Sequence, residues 1–320
     1  MIRVIYAGLV LSAGILLAAG ILHAVPRPDA SAYILAQVPA PAVAPAAPEQ
    51  AQSRAEQVAR ALVEAYPGRV ERAEFRGGDW AVLLRGTWFH YAGGRLMPEH
   101  LLHRAEYYSP LAFYNTYAAG APVWRPPTEE QLARLTGMGQ ERATHRLPRA
   151  HYFFDTLYQS TTRAEASRHM VAAYFLGRRV NIHYTIRQEL AMVEAAILET
   201  ARVDPGIRAW INGIGSIYSW NWRTIGGTTT RSFHSYGIAL DIIPRNLGGR
   251  EMFWAWAANR RADWWNIPFD GRYHPPTEVI EAFELHGFVW GGKWLFFDTM
   301  HFEFRPEVMI LNGLPLVQAP

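Results

Sequence analysis

The sequence predicts an α+β protein, in which short strands are separated by helices and long loops. Half of the 320 residues are hydrophobic, which suffices for a sizeable core. Candidate strands lie at residues 211–220, 236–243 and 300–304, and candidate helices lie at 160–176, 185–200 and 277–286. Strands interspersed with helices in this way are typical of α+β domains.

The N-terminal segment predicts export. Met-Ile-Arg is followed by an apolar run over residues 4–22, which is typical of a signal peptide or of an uncleaved membrane anchor. The run is close to the length that spans a bilayer, while residues 30–32, Ala-Ser-Ala, form a small-residue cleavage site. A buried N-terminal helix is disfavoured because no polar residue marks a solvent face. An Ala/Pro tract at residues 36–50 then predicts a semi-extended linker.

Four parts follow along the chain. We predict a signal peptide or membrane anchor (1–24), an Ala/Pro-rich linker (25–52), an N-terminal accessory region (53–150) and a main domain with the candidate metal site (151–320). The accessory region is expected to form an N-terminal α/β extension, with a helix at 53–66 and a hairpin at 80–84 and 87–91. Residues 95–150 are expected to be irregular.

The helix predicted at residues 185–200 has two supporting signals. Thr185 and Gln188 have the spacing of a capping box. The apolar side chains recur at helical spacing, which predicts that one face packs on a sheet, and they are Ile186, Leu190, Val193 and Ile197. The helix at 277–286 is expected to end at Gly287.

Composition excludes several function classes. The chain has no cysteine, which excludes disulfides, thiolate metal ligands and a cysteine nucleophile. The formal charge is +3 and the arginines are scattered, so nucleic acid is not an expected partner. Any metal must therefore be held by histidine and carboxylate.

The first motif covers residues 232–241, Ser-Phe-His-Ser-Tyr-Gly-Ile-Ala-Leu-Asp. On a strand, Asp241 and Ala239 would share one face, and a carboxylate in so apolar a segment needs compensation, such as a metal ion. His234 lies an odd number of residues earlier, so the chain must bend for both to converge, and Gly237 permits the bend. Ser232 shares the side of His234 and is predicted to contact substrate.

The second motif covers residues 298–303, Asp-Thr-Met-His-Phe-Glu. His301 and Glu303 would share one strand face, with Phe302 on the opposite, core-facing side. His301 completes an N, N, O ligand set that suits a catalytic zinc with an open position. Asp298 is predicted to act as general base, and Glu303 to orient a ligand or a substrate amine.

Each residue also has a plainer interpretation. Asp298 is also a common turn-forming residue type, and Glu303 is also compatible with a solvated strand position. Ser232 with His234 as a serine nucleophile pair is disfavoured, because no Gly-x-Ser-x-Gly elbow surrounds the serine. A structural calcium site is disfavoured because calcium prefers six or more oxygen ligands.

Together the two motifs resemble the zinc peptidases of the D-Ala-D-Ala carboxypeptidase and L-alanyl-D-glutamate endopeptidase family. Aspartate three residues before the last histidine and the His-Phe-Glu string resemble the endopeptidase branch. The resemblance covers about residues 180–305. It implies Zn²⁺ held by His234, Asp241 and His301, Asp298 as base, and a small antiparallel sheet flanked by helices.

The chain departs from the family pattern at the substrate-binding arginine. Members usually carry a Gly-Tyr-Arg-like string upstream of the first histidine, and the nearest match is Asn221-Trp222-Arg223. Arg223 is therefore the predicted substrate-binding residue, and Arg231 is a rival for the same role.

The resemblance implies a metallopeptidase that acts on peptidoglycan stem peptides, and the N-terminal segment predicts that it is exported to the periplasm or the cell envelope. An uncleaved N-terminal segment would also place it at the inner membrane. The alternative is a catalytically weak cell-wall-binding protein that retains the metal site. Which peptide bond is cut stays open at this point.

Overall fold

The computed structural model describes residues 48–111, 117, 127–129, 132, 147–225 and 229–317. Within them the helices are α1 (Pro48–Ala65), α2 (Tyr152–Leu157), α3 (Arg163–Arg168), α4 (Arg187–Val203), α5 (Pro205–Gly213), α6 (Trp254–Ala258), α7 (Thr277–Leu285) and α8 (Pro306–Leu311). Short 3-10 helices are Glu99–Tyr107, Tyr184–Ile186, Phe233–Tyr236, Trp264–Asn266, Phe269–Gly271 and Gly291–Lys293.

The strands of the described residues form three antiparallel sheets. The first is four-stranded and has the order β1 (Val70–Arg76), β2 (Asp79–Leu84), β3 (Thr87–His90), β4 (Met97–Pro98). The second is a hairpin of β5 (Met170–Phe175) and β6 (Arg178–His183). The third, the central sheet, has the order β7 (Ile214–Tyr218), β8 (Ala239–Pro244), β10 (His301–Phe304), β9 (Phe288–Trp290). The α+β prediction is confirmed.

The accessory region forms a helix on a sheet. Helix α1 ends just before Pro67-Gly68, as expected, and it packs on β1, β2 and the C-terminal helix α8. The predicted hairpin is present as β2 and β3, while β1 was not predicted. One buried apolar cluster runs from Val58 and Leu62 of α1 to Phe302 of the central sheet, so the accessory region and the metal-site domain share a core.

The prediction of one helix over residues 160–176 is wrong. A short helix, α3, begins at a capping box between Thr162 and Glu165, and the chain then turns into strand β5. The hairpin closes through a two-residue turn in which Leu176 has φ 48° and Gly177 has φ 74°. Positive φ at both positions suits the twist of an antiparallel hairpin, so the turn and its pairing outweigh the helical propensity of the segment.

The helix predicted at residues 185–200 is confirmed, but not its cap. Instead of a Thr185 capping box, the His183 ring accepts a hydrogen bond from the Thr185 N–H, and a 3-10 turn leads into α4 at Arg187. The predicted apolar stripe is buried throughout, and its members are Ile186, Leu190, Val193 and Ile197.

The central sheet is shorter than predicted at its first two strands. Residues 211–213 belong to α5, because Asp204 caps that helix and Pro205 begins it. Residue 236 belongs to a 3-10 helix, and β8 begins at Ala239. Helix α7 ends at Leu285, and Gly287 follows with φ 84°, as expected for a helix end.

The predicted signal peptide or anchor, residues 1–24, and residues 25–47 of the linker lie outside the described residues. In the part of the chain that the structure describes, no helix is both long and apolar enough to cross a membrane.

Candidate metal centre

The segment before β8 brings His234 toward the sheet by means of a tight turn. Ser232 Oγ accepts a hydrogen bond from the His234 N–H at 3.4 Å and so begins the 3-10 helix Phe233–Tyr236. Gly237 ends this helix with φ 68°, and a Cβ there would lie 2.4 Å from Met170 Sδ. The predicted bend at Gly237 is therefore confirmed, because only glycine fits both the backbone angle and the space.

Strands β8 and β10 place the other two candidate ligands opposite one another. In the antiparallel register His301 pairs with Asp241 and Glu303 pairs with Ala239. Phe302 is fully buried in the core behind the sheet, as the alternation predicted. The small Ala239 side chain leaves room for Glu303 across the strand pair.

The three candidate ligand side chains meet at one point. Asp241 Oδ1 lies 3.1 Å from His234 Nε2 and 2.9 Å from His301 Nδ1, and the two ring nitrogens are 3.3 Å apart. One ligand atom from each of these residues lies within 4.8 Å of the others. The histidines are buried, while the Asp241 side chain is 16% exposed, so the centre opens to solvent beside the carboxylate.

The second nitrogen of each histidine is held by an acceptor. His234 Nδ1 donates to the Ser219 carbonyl oxygen at 2.6 Å, and His301 Nε2 donates to Glu303 Oε2 at 3.0 Å. These bonds fix both rings so that the other nitrogen faces Asp241. Metal-ligating histidines are usually oriented in this way, so the donor set fits a zinc ion.

The charges of the centre favour a cation. Burial alone would lower the pKa of His301, but the hydrogen bonds that its ring donates to the carboxylates of Asp241 and Glu303 outweigh burial and raise that pKa to about 10. Burial likewise opposes ionisation of Asp241, yet His234 and His301 lower the pKa of its carboxyl well below the ordinary value. A divalent cation would supply the positive charge that these carboxylates otherwise draw from a protonated histidine.

Asp298 lies beside this centre, on the turn that enters β10. Its N–H donates to the Gly291 carbonyl at 3.0 Å, and its Oδ1 is buried without a hydrogen bond to any described residue. Burial and then the charge of Asp241 raise the pKa of Asp298 to about 7, against the opposing charges of His301 and Arg223. The carboxylate is therefore close to the ligands and has an oxygen free to accept a proton.

Comparisons with known proteins agree with this geometry. The family model described as D-alanyl-D-alanine carboxypeptidase matches residues 226–304. The peptidoglycan L-alanyl-D-glutamate endopeptidase CwlK of Bacillus subtilis is 30% identical over 80 residues, which are 24% of this chain and 41% of that protein. Residues 226–304 are thus similar to this peptidase family.

The matches leave much of the chain uncovered. The aligned part spans about two fifths of the Bacillus subtilis protein. A second family model, for a domain of unknown function, matches residues 58–113 in the accessory region. No solved structure matches the chain.

The two rival arginines have different surroundings in the structure. Arg231 pairs with the buried Asp155 and donates to the Ser160 carbonyl at 2.7 Å. Its guanidinium also lies 4.5 Å from the centre of the Trp222 ring. Arg223 is exposed, and its charge acts on Asp298. Arg223 is therefore the arginine of the two that is available to substrate.

Ser232 and Glu303 occupy positions of different kinds. Ser232 is 4% exposed and its hydroxyl is the cap of the turn that carries His234, so a substrate contact there stays a prediction. Glu303 is fully buried against His301, which excludes the solvated strand position.

Two further side chains lie close to the candidate ligands. The Trp294 ring centre lies 5.6 Å from that of His301. Arg305 donates to Glu303 Oε1 at 3.4 Å. The signal for Arg305 was visible, because charged residues continue at every second position after His301.

Proposed function

We propose that the protein is an exported, zinc-dependent peptidase that hydrolyses a peptide bond in peptidoglycan stem peptides. The observation that carries the proposal is the convergence of His234, Asp241 and His301 beside Asp298, a carboxylate with an uncommitted oxygen. The family match and the activity named for the Bacillus subtilis relative support the peptidoglycan substrate. The apolar segment at residues 4–22 supports export.

Each residue of the centre has a role in this reaction. His234, Asp241 and His301 would hold the zinc ion, with Glu303 keeping the His301 ring in place. When bound, zinc polarises the scissile carbonyl and makes an attacking water more acidic. Asp298 would take the proton from that water and later deliver a proton to the departing amine. Arg223 would bind a carboxylate of the stem peptide or stabilise negative charge on the carbonyl oxygen.

The position of Asp298 favours catalysis over wall binding alone. The Asp298 Oδ1 atom is buried without a hydrogen-bond partner among the described residues, beside the candidate ligands, as a general base requires. The second interpretation predicts a carboxylate that points away into solvent.

Digestion of purified muropeptides by the full chain, followed by mass spectrometry, tests the proposal. We expect release of free D-alanine or cleavage after L-alanine, and the masses of the products distinguish the two bonds. A chelator should abolish the reaction and added zinc should restore it. His234→Ala should be inactive, whereas His100→Ala, at an exposed position remote from the motif, should retain activity. Cleavage by His234→Ala at the rate of the unmodified protein would refute the proposal.

A further inference from the structure

A row of buried charged side chains continues from the metal centre into the C-terminal part of the chain. His301, Glu303, Arg305 and Glu307 alternate along β10 and the start of α8. The last three are at most 1% exposed. Charged side chains are almost never fully buried unless they are paired, so this row needs an explanation.

Continuous hydrogen bonds join the row to the accessory region. His301 Nε2 donates to Glu303 Oε2, and Arg305 Nη1 donates to Glu303 Oε1 at 3.4 Å. Arg305 Nε donates to Glu307 Oε1, and the Tyr66 hydroxyl donates to Glu307 Oε2 at 2.7 Å. Tyr66 follows directly after helix α1, so the accessory region is connected to a candidate ligand through four hydrogen bonds.

Arg305 also contacts the segment that carries the other histidine. Its guanidinium carbon lies 4.9 Å from the centre of the Phe233 ring and 5.2 Å from that of Phe154. Phe233 immediately precedes His234. One side chain thus contacts both segments that present the candidate histidine ligands.

Stability alone is a weak reason for this arrangement. Desolvation of buried charges offsets much of their attraction, and apolar residues of similar size often stabilise a core equally well. A fully hydrogen-bonded row, in contrast, fixes its members in one geometry. The row ends at the ring nitrogen that determines how His301 faces Asp241.

We propose that Arg305, Glu307 and Tyr66 are positioning residues for the metal ligand His301, and that the accessory region is thereby a part of the metal centre. This inference rests on the proposed function, in that His301 is taken as a ligand. It assigns a role to the region that matches the domain of unknown function, which supplies Tyr66.

Zinc affinity and the visible spectrum of the cobalt-loaded protein test this inference on the full chain. Glu307→Gln removes one of the two carboxylates that hold Arg305. The Arg305 side chain should then shift toward Glu303 and weaken the hydrogen bond between Glu303 and His301. We expect zinc affinity, measured by competition with a chelator, to fall roughly 10-fold, and the cobalt absorption bands to shift. Tyr66→Phe should give a smaller change of the same kind.

Glu284→Gln is the matched control. Glu284 is also a buried carboxylate with a tyrosine and a cation as partners, Tyr117 and Lys293, but no hydrogen bond joins it to His301. Its variant should lose stability without a change in zinc affinity or cobalt spectrum. If Glu307→Gln does not fold, Tyr66→Phe, which keeps the ring, decides the question.

The outcomes separate this inference from the proposed function. Wild-type zinc affinity and cobalt spectrum in folded Glu307→Gln and Tyr66→Phe would refute the positioning role, as would an equal loss of affinity in Glu284→Gln. A protein that binds zinc through His301 but cleaves no muropeptide would refute the proposed function and leave the positioning role intact. Absence of zinc binding in the unmodified protein would refute both.

Discussion

At the scale of single residues, the chemistry of the centre depends on which side-chain atoms are already committed. Both candidate histidine ligands have one nitrogen bound to an acceptor, and the Ser232 hydroxyl is used as a cap. Asp298 Oδ1 has no such commitment among the described residues. These contacts support the proposed division of roles between ligand, support and base.

Asp298→Asn should separate metal binding from catalysis. Asparagine has nearly the same shape but cannot accept the proton of the attacking water, so kcat should fall about 10²- to 10⁴-fold. Zinc affinity should stay near the wild-type value because Asp298 is not among the proposed ligands. Steady-state kinetics together with zinc titration checks this, and a variant with normal kcat would exclude Asp298 as the base.

Arg223→Ala and Arg231→Ala should have opposite effects. Loss of the exposed Arg223 should lower kcat/KM roughly 10- to 100-fold, because a charge-assisted substrate contact is removed, while thermal stability is retained. Loss of Arg231 leaves the buried Asp155 without its ion pair and should lower the free energy of unfolding by about 3 kcal/mol. Kinetics and urea unfolding of both variants distinguish the roles, and the reverse pattern would make Arg231 the substrate arginine.

At the scale of secondary-structure elements, the antiparallel register of β8 and β10 and the turn at Gly237 assemble the ligands. The pairing of Asp241 with His301 joins residues 60 positions apart in the chain. The turn packs on the β5–β6 hairpin, where the His183 N–H donates to the Gly237 carbonyl at 2.8 Å. The hairpin therefore supports the turn that presents His234.

Gly237→Ala should destabilise the protein by about 2–4 kcal/mol, because it combines a left-handed backbone angle with a clash. The new Cβ would lie 2.8 Å from the backbone nitrogen of His183 as well as against Met170. Gly248→Ala is the matched control, since Gly248 also has positive φ, 59°, but nothing lies within 4 Å of its Cβ position. Urea unfolding should show a clearly smaller loss in the free energy of unfolding for Gly248→Ala. Equal losses in the two variants would mean that the contact of the new Cβ with Met170 and His183 is unimportant.

His183 should make folding sensitive to acid. It is fully buried, its Nε2 donates to the Tyr158 carbonyl and its Nδ1 accepts from Thr185, so the native ring is neutral. Burial lowers its pKa from 6.5 to about 4. The unfolded chain therefore takes up a proton first as pH falls, and stability present above pH 6.5 is lost progressively toward pH 4, by up to roughly 3 kcal/mol.

Urea unfolding of the unmodified protein and of His183→Gln at a series of pH values measures this contribution. The stability difference between the two proteins should shrink as the solution becomes more acidic, since glutamine does not titrate. His100→Gln, at an exposed position, is the control for loss of a histidine as such. Parallel pH profiles for wild type and His183→Gln would contradict the assignment.

At the scale of the whole molecule, the accessory region and the metal-site domain share one apolar cluster and one buried row of charges. Metal binding should therefore stabilise the whole described molecule and not only a loop. Zinc at a free concentration 100-fold above its Kd should raise the free energy of unfolding by about 2.7 kcal/mol and Tm by roughly 5–10 °C.

Calorimetry with zinc and with chelator checks this effect. His234→Ala should show little or no zinc-dependent rise in Tm, because one of the three proposed ligands is missing. A rise of equal size in His234→Ala would show that zinc binds elsewhere. If zinc raised the Tm of only one part of the calorimetric unfolding transition, the accessory region and the metal-site domain would unfold separately.

Much of the candidate site was determined by the sequence itself. Strand alternation alone predicted that His301 and Glu303 share a face opposite Phe302, and the odd spacing of His234 and Asp241 predicted the bend at Gly237. These are local rules, because they depend only on side-chain direction along a strand and on the freedom of glycine. The absence of cysteine likewise limited the ligands to histidine and carboxylate.

Only the tertiary structure decided which distant groups meet. Three features depend on partners far away in the chain. They are the hairpin at residues 170–183, which replaces the end of the helix predicted at 160–176, the ion pair that distinguishes Arg231 from Arg223, and the link from Tyr66 to His301. Local propensity carries little information about such pairings, because packing and burial override it when a segment joins the core. The sequence thus determined which residues are candidate ligands, and the fold decided which residues hold them in place.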